Sequence, residues 1–136
     1  MKVDEVRHYL WDRSPDDNEL WNSLEFTDEE IVRAMGHAAR AFRSVPPLIP
    51  MRIDASCLPT DTNIFFDATG EQLYRMKRHS LARNNFKYEA GNVAIDDVSL
   101  KIEALDKLSK EMGEQWRQEA RFFKSQINVN GFYGNF

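Results

Sequence analysis

Apolar residues recur at helical spacing along most of the chain. Val3, Val6 and Leu10 form a first short stripe, which Arg13-Ser14-Pro15-Asp16-Asp17 interrupts; Leu20, Trp21 and Leu24 follow as an apolar cluster. The sharpest local signal is Phe26-Thr27-Asp28-Glu29-Glu30-Ile31. Thr27 can accept from the Glu30 amide, the Glu30 carboxylate can reach back to the Thr27 amide, and Phe26 and Ile31 stand where a hydrophobic staple packs. The stripe continues through Met35, Ala38, Phe42 and Val45 until Pro46-Pro47 stops it, so the pattern predicts a helix over about 28–44.

Residues 46–60 read as a connection rich in proline. Within it Ile49, Met51 and Ile53 alternate with Pro50, Arg52 and Asp54, a pattern suited to an extended segment at an edge. Thr60, Asp61 and Thr62 offer caps for a helix carrying Ile64, Phe65, Ala68, Leu73, Met76 and Leu81 and ending near Asn84-Asn85. Gly70 weakens its middle by about 1 kcal/mol relative to alanine. Phe86, Tyr88, Ala90-Gly91-Asn92, Val93 and Ile95 predict two short extended strokes around a turn, a hairpin near 86–95. Asp96 can then cap a last helix with the stripe Val98, Ile102, Leu105, Leu108, Met112, Trp116, Ala120 and Phe123. That register spans about 28 residues, or about 42 Å at 1.5 Å per residue, longer than the core of so small a chain, so part of it is expected to pack on another chain. Residues 127–136 combine Gly131, Gly134 and three asparagines with Ile127, Val129, Phe132, Tyr133 and Phe136, which predicts an extended tail. The fold class is mainly α: a small helical bundle with a long C-terminal helix, a short extended or hairpin element near 86–95 and an extended C-terminal tail. The chain divides into a helical domain, 1–126, and an interaction tail, 127–136.

Length and charge narrow the function. At 136 residues the chain has room for one core and not for separate cofactor and substrate lobes. No apolar run is long enough to span a bilayer, and Met1 to Trp11 lacks an apolar signal core, so the protein is expected to be intracellular when made, with no membrane partner. A single cysteine, Cys57, excludes an internal disulfide and a multi-cysteine zinc module. The net charge of −4 is unevenly spread: residues 1–30 hold ten acids and three bases, residues 31–136 fifteen bases and twelve acids. The acidic end cannot supply a phosphate-binding surface.

Catalytic patterns are missing. His8, His37 and His79 fall in no His-Glu-x-x-His arrangement, Cys57 lies in a proline-bracketed loop without signature neighbours, and Ser14, Ser23, Ser44 and Ser80 lack a nucleophile-elbow context. No glycine-rich phosphate loop is present, and Asp96-Asp97 sits where a helix dipole accounts for it. The expectation is a protein that is not an enzyme, with no catalytic, metal-ligating or cofactor-binding residue and no cofactor. The best basic run, Arg75, Lys77, Arg78, Arg83 and Lys87, is opposed nearby only by Glu71, but it spreads over more than one helix face. With a pI near 5.4 and no recognition-helix motif, a dedicated DNA binder is disfavoured. What remains is interaction surface, with Ile127, Val129, Phe132, Tyr133 and Phe136 as candidate partner-binding residues that add a strand to a neighbour or insert aromatic anchors.

Three pieces of the chain together resemble the small head–tail adaptor (connector, or neck) proteins of tailed bacteriophages. One is Leu24-Glu25-Phe26-Thr27-Asp28-Glu29-Glu30-Ile31 leading to Val45-Pro46-Pro47. The second is Arg83-Asn84-Asn85-Phe86-Lys87-Tyr88-Glu89-Ala90-Gly91-Asn92-Val93, where Asn92 replaces a second glycine expected in the turn. The third is Phe123-Lys124-Ser125-Gln126-Ile127-Asn128-Val129-Asn130-Gly131-Phe132-Tyr133-Gly134, a lysine near a helix end before an Ile-Asn segment and a Gly-aromatic-Gly tail. The resemblance implies a structural virion protein, made in the host cytoplasm and located in the neck. It implies a homo-oligomeric ring, commonly of about twelve copies closed through heterologous interfaces, that binds the portal protein on one side and a tail-side neck or tail-terminator protein on the other. DNA would pass through such a ring without sequence-specific binding. Two other readings stand beside it: a DNA-packaging recognition subunit that is also a helical oligomer, and a small intracellular protein-interaction domain.

Overall fold

The computed structural model describes residues 1–17, 24–49, 62–88 and 95–133. Among these, four helices form the bundle: α1 Val3–Leu10, α2 Asp28–Ser44, α3 Ile64–Tyr88 and α4 Ile95–Tyr133, with a 3-10 turn at Pro15–Asp17 between the first two. The capping box at Thr27 is formed as read from the sequence: the Glu30 amide donates to Thr27 Oγ1 at 3.2 Å, and the Thr27 amide donates to Glu30 Oε2 at 2.8 Å. Phe26 and Ile31 are both buried in the core that this cap sets up. At the other end Val45 leaves helical geometry immediately before Pro46-Pro47.

Helix α3 is the central element. Ile64 to Glu71 are buried without interruption, so its first two turns face protein on every side. A helix enclosed all round needs no single apolar stripe, which is why its sequence periodicity is blurred. Phe26 meets Tyr74 edge-on at 5.9 Å between ring centroids, while Phe42 packs on Phe65 at 4.8 Å. Helix α2 therefore runs antiparallel to α3. Helix α4 runs antiparallel to α3 as well, with Asp106 beside Arg78, Trp116 beside Glu71 and Phe123 reaching the same Phe42 ring. Helix α1 lies across α3, with Tyr9 stacked on Phe66 at 4.9 Å. Arg7 ties α1 to the start of α2: its guanidinium donates to Asp12 Oδ2 at 2.9 Å, to the Phe26 carbonyl at 2.8 Å and to Asp28 Oδ1 at 2.6 Å. Part of the acidic N-terminal segment is thereby folded onto one buried arginine rather than presented to solvent.

Two expectations are corrected. The hairpin near 86–95 is not formed: Phe86 to Tyr88 complete α3, Ile95 opens α4, and residues 89–94 lie outside the described residues. Asn84-Asn85 lowers helix propensity without stopping a helix already propagating. The extended C-terminal tail is likewise replaced by helix, because α4 runs on to Tyr133. Asparagine and glycine cost about 0.5–1 kcal/mol each there, but no proline blocks the ladder. At 39 residues α4 is about 58 Å long by its 1.5 Å rise. Much of the α4 stripe is covered within this one chain, with Leu105, Trp116 and Ala120 buried, while Leu108 stands exposed and Ser109 takes the buried place. The edge segment expected at 46–60 lies mostly outside the described residues.

Two glycines mark the closest approach of α3 and α4. A Cβ on Gly70 would meet the Met112 side chain at 2.8 Å, and one on Gly113 would meet Glu71 Oε1 at 2.7 Å. Met112 is flexible and can move, whereas Glu71 is pinned by three donors. Gly36, on α2, faces open space. Gly36→Ala should therefore raise stability by about 1 kcal/mol through helix propensity, and Gly113→Ala should lower it by about 1–2 kcal/mol through overpacking. Urea denaturation of the two variants checks the opposite signs.

Candidate functional site

The end of the bundle where α2 stops is closed by a lysine. A helix C-terminus leaves carbonyls without intrahelical donors. Here Lys124 of α4 supplies them: its Nζ donates to the carbonyls of Phe42, of Val45 at 2.6 Å and of Arg43 at 3.4 Å. The ammonium also stands 4.5 Å from the Phe42 ring centroid, and the residue is 1% exposed. Burial pulls the amine below the ordinary lysine value. A positive charge at this end of α2 also complements the helix dipole. Two large apolar side chains remain exposed beside the cage in sequence, Leu48 three residues after Val45 and Phe122 two residues before Lys124, at 77% and 67%.

A second charged assembly lies between α3 and α4. Glu71 is 2% exposed and fully used: Oε2 accepts from Trp116 Nε1 at 2.6 Å, and Oε1 accepts from Arg117 Nη2 at 2.7 Å and Arg75 Nη2 at 2.9 Å. One helical turn along, Asp106 accepts from Arg78 and from Lys110, the latter at 2.7 Å, and these hydrogen bonds, Lys110 first, hold its carboxyl below the ordinary aspartate value. An open cleft of about 440 Å³ separates the two groups. Three members of the basic run seen in the sequence have partners within the chain: Arg75 on Glu71, Arg78 on Asp106 and Lys77 on the Glu25 carbonyl at 3.2 Å.

A third polar group is buried under α1. Tyr9 Oη donates to Asp67 Oδ1 at 2.6 Å, and Asp67 Oδ2 has no partner among the described residues. Burial, with the nearby Glu119 charge adding to it, raises the Asp67 carboxyl above its ordinary value against the opposing effect of the tyrosine hydrogen bond. The Tyr9 hydroxyl is itself pushed far up by burial and by Asp67.

Of the residues singled out for partner binding, Ile127 is half-buried on α4. Val129, Phe132 and Tyr133 fall in the last turns of that helix, and Phe136 lies outside the described residues. Cys57 also lies outside them. Among the described residues no group of three histidines, cysteines or carboxylates is gathered as for a metal ion, and no helix is long and apolar enough to cross a membrane. Lys124 escaped notice as a functional residue because its partners are backbone carbonyls about 80 positions away. Its placement in a run of apolar α4 positions was the available signal.

No protein family, no curated protein and no solved structure matches the chain. The expected oligomeric ring, portal-binding and virion character therefore gain nothing from relatives. The ring, portal-binding and virion character are corrected to what the described residues form, a small all-helical domain.

Two outcomes follow from the buried charges. Lys124→Met should lower stability by about 2–3 kcal/mol, since it strands buried carbonyls and removes charged hydrogen bonds; chemical denaturation reads it. For Asp67, a raised folded-state value means the unfolded chain ionises first as pH rises. Its contribution to stability should therefore fall between the ordinary aspartate range and the raised value. In urea titrations from about pH 3.5 to about pH 7, Asp67→Asn should gain stability relative to the parent chain as pH increases.

Proposed function

We propose that the chain is a structural adaptor subunit joining the portal vertex of a tailed-phage capsid to its tail, acting through protein–protein contact rather than catalysis and residing in the virion neck. The observation that carries the reading is the Lys124 cage. Val45-Pro46-Pro47 and Phe123-Lys124 belong to two separate pieces of the adaptor resemblance, and in the fold they become one unit through the hydrogen bonds of Lys124 to the end of α2. The exposed Leu48 and Phe122 flank that unit and suit an apolar docking edge. Ile127, Val129, Phe132, Tyr133 and Phe136 continue from it along the chain and would extend the contact.

The reading as a DNA-packaging recognition subunit has less support. A duplex-binding face gains affinity from a tract of cations that release counterions on contact, whereas Arg75 and Arg78 share their charge with Glu71 and Asp106 and Lys77 donates to the Glu25 carbonyl.

Electron microscopy of purified portal rings mixed with the intact chain should show added density on the tail-facing side. The double variant Leu48→Asp/Phe122→Asp changes only exposed positions, so it should keep the helical circular dichroism and lose that density. Portal rings left bare by the intact chain would overturn the reading.

A further inference from the structure

The cleft between α3 and α4 carries a charge imbalance that the bundle itself does not resolve. Glu71 holds two guanidiniums on a single oxygen, so one negative charge answers two positive ones. Asp106 likewise answers two cations with one charge, Arg78 on Oδ1 and Lys110 on Oδ2. Glu114, exposed on the rim, is the remaining carboxylate of the lining. Four arginine and lysine cations against three carboxylates leave the cleft with a surplus of +1.

Donors are in surplus too. Among the described residues Arg75 and Arg117 spend only Nη2 on Glu71, and Arg78 only Nη1 on Asp106. A guanidinium has five N–H groups, so each retains nitrogens for a further acceptor. The arginines are also held in place rather than free. Glu71 is buried and anchored by the Trp116 indole, and the Arg117 guanidinium lies 5.0 Å from the Trp116 ring centroid. Side-chain entropy is thus already spent before any ligand arrives, which is the condition under which charged recognition gains affinity. A volume of about 440 Å³ falls in the small-molecule range.

We infer that this cleft binds one phosphate group carried by a small molecule, with Arg75, Arg78, Lys110 and Arg117 as its ligands. Phosphate answers the surplus of donors with several acceptor oxygens, its charge is opposite in sign to the cleft's, and planar guanidiniums suit its oxygens. A nucleic-acid backbone is a poorer fit, because a tract of phosphates needs unneutralised cations beyond the cleft.

The test titrates inorganic phosphate into the intact chain, followed by amide chemical shifts, with sodium chloride at matched ionic strength as control. Saturable shifts on α3 and α4 are expected with phosphate and not with chloride. Charge substitutions on exposed rim positions should move affinity in opposite directions: Lys110→Gln should weaken binding about fivefold and Glu114→Gln should strengthen it about threefold, each a change of one charge a few ångströms from the ligand in a partly solvated cleft. Both variants should keep the parental circular dichroism and melting behaviour. Shifts reproduced by chloride, or equal affinities in the two variants, overturn the assignment. Binding of a short DNA duplex without binding of inorganic phosphate overturns it as well, since the surface would then read a backbone tract.

Discussion

The bundle depends on one lysine side chain that crosses from α4 to the end of α2. Lys124 donates to the carbonyls of Phe42, Arg43 and Val45; Pro46 and Pro47 lack the amide hydrogens that would have continued the helical ladder to Phe42 and Arg43, and within the backbone Phe42 accepts only the Val45 amide at 3.3 Å. A proline stop fixes where α2 ends but leaves its last turn with unanswered acceptors inside the core. Phe42 and Val45 are buried, so their carbonyls depend on donors from the protein. A long flexible side chain with three donors is one of few groups able to answer several carbonyls at once. Through it, the relative placement of α2 and α4 is set.

The same principle recurs at the other two buried charges. Arg7 gathers Asp12, Asp28 and the Phe26 carbonyl and so joins α1 to the start of α2. Glu71 gathers Trp116, Arg117 and Arg75 and joins α3 to α4. Each is a single ionised side chain with more than one partner, so each buried charge is compensated where an isolated one would be too costly. Asp67 departs from the pattern, with one oxygen bonded to Tyr9 and the other without a partner among the described residues. The apolar core orders the helices roughly; the charged junctions fix how their ends meet.

What was legible in the sequence was local. The Thr27 capping box, the stripe from Ile31 to Val45 and the proline stop placed α2 at the residues where it is found. The existence of α1, α3 and α4 followed from apolar spacing. The errors came where a local preference was weighed without its context. Asn84-Asn85 and the Asn and Gly residues after Ile127 are poor helix formers, yet a helix already under way absorbs such costs. The buried charges were invisible for a different reason. Arg7, Glu71 and Lys124 stand at positions that read as polar interruptions, and the partners that join them to another helix lie 19 to 82 positions away. The adaptor resemblance grouped Val45-Pro46-Pro47 with Phe123-Lys124 only by order along the chain; the contact between them is a property of the fold.

The account stands most directly on the state of the Lys124 ammonium. Proton–nitrogen correlation spectra of the lysine side chains would report it without altering the chain. A caged Nζ bonded to three carbonyls exchanges its protons slowly, so one ammonium resonance should persist near neutral pH when those of the surface lysines are lost to water, and it should correlate with Phe42 ring protons. If every lysine exchanges at the rate of a solvent-exposed side chain, the cage does not exist and the junction it is held to fix must be set by something else.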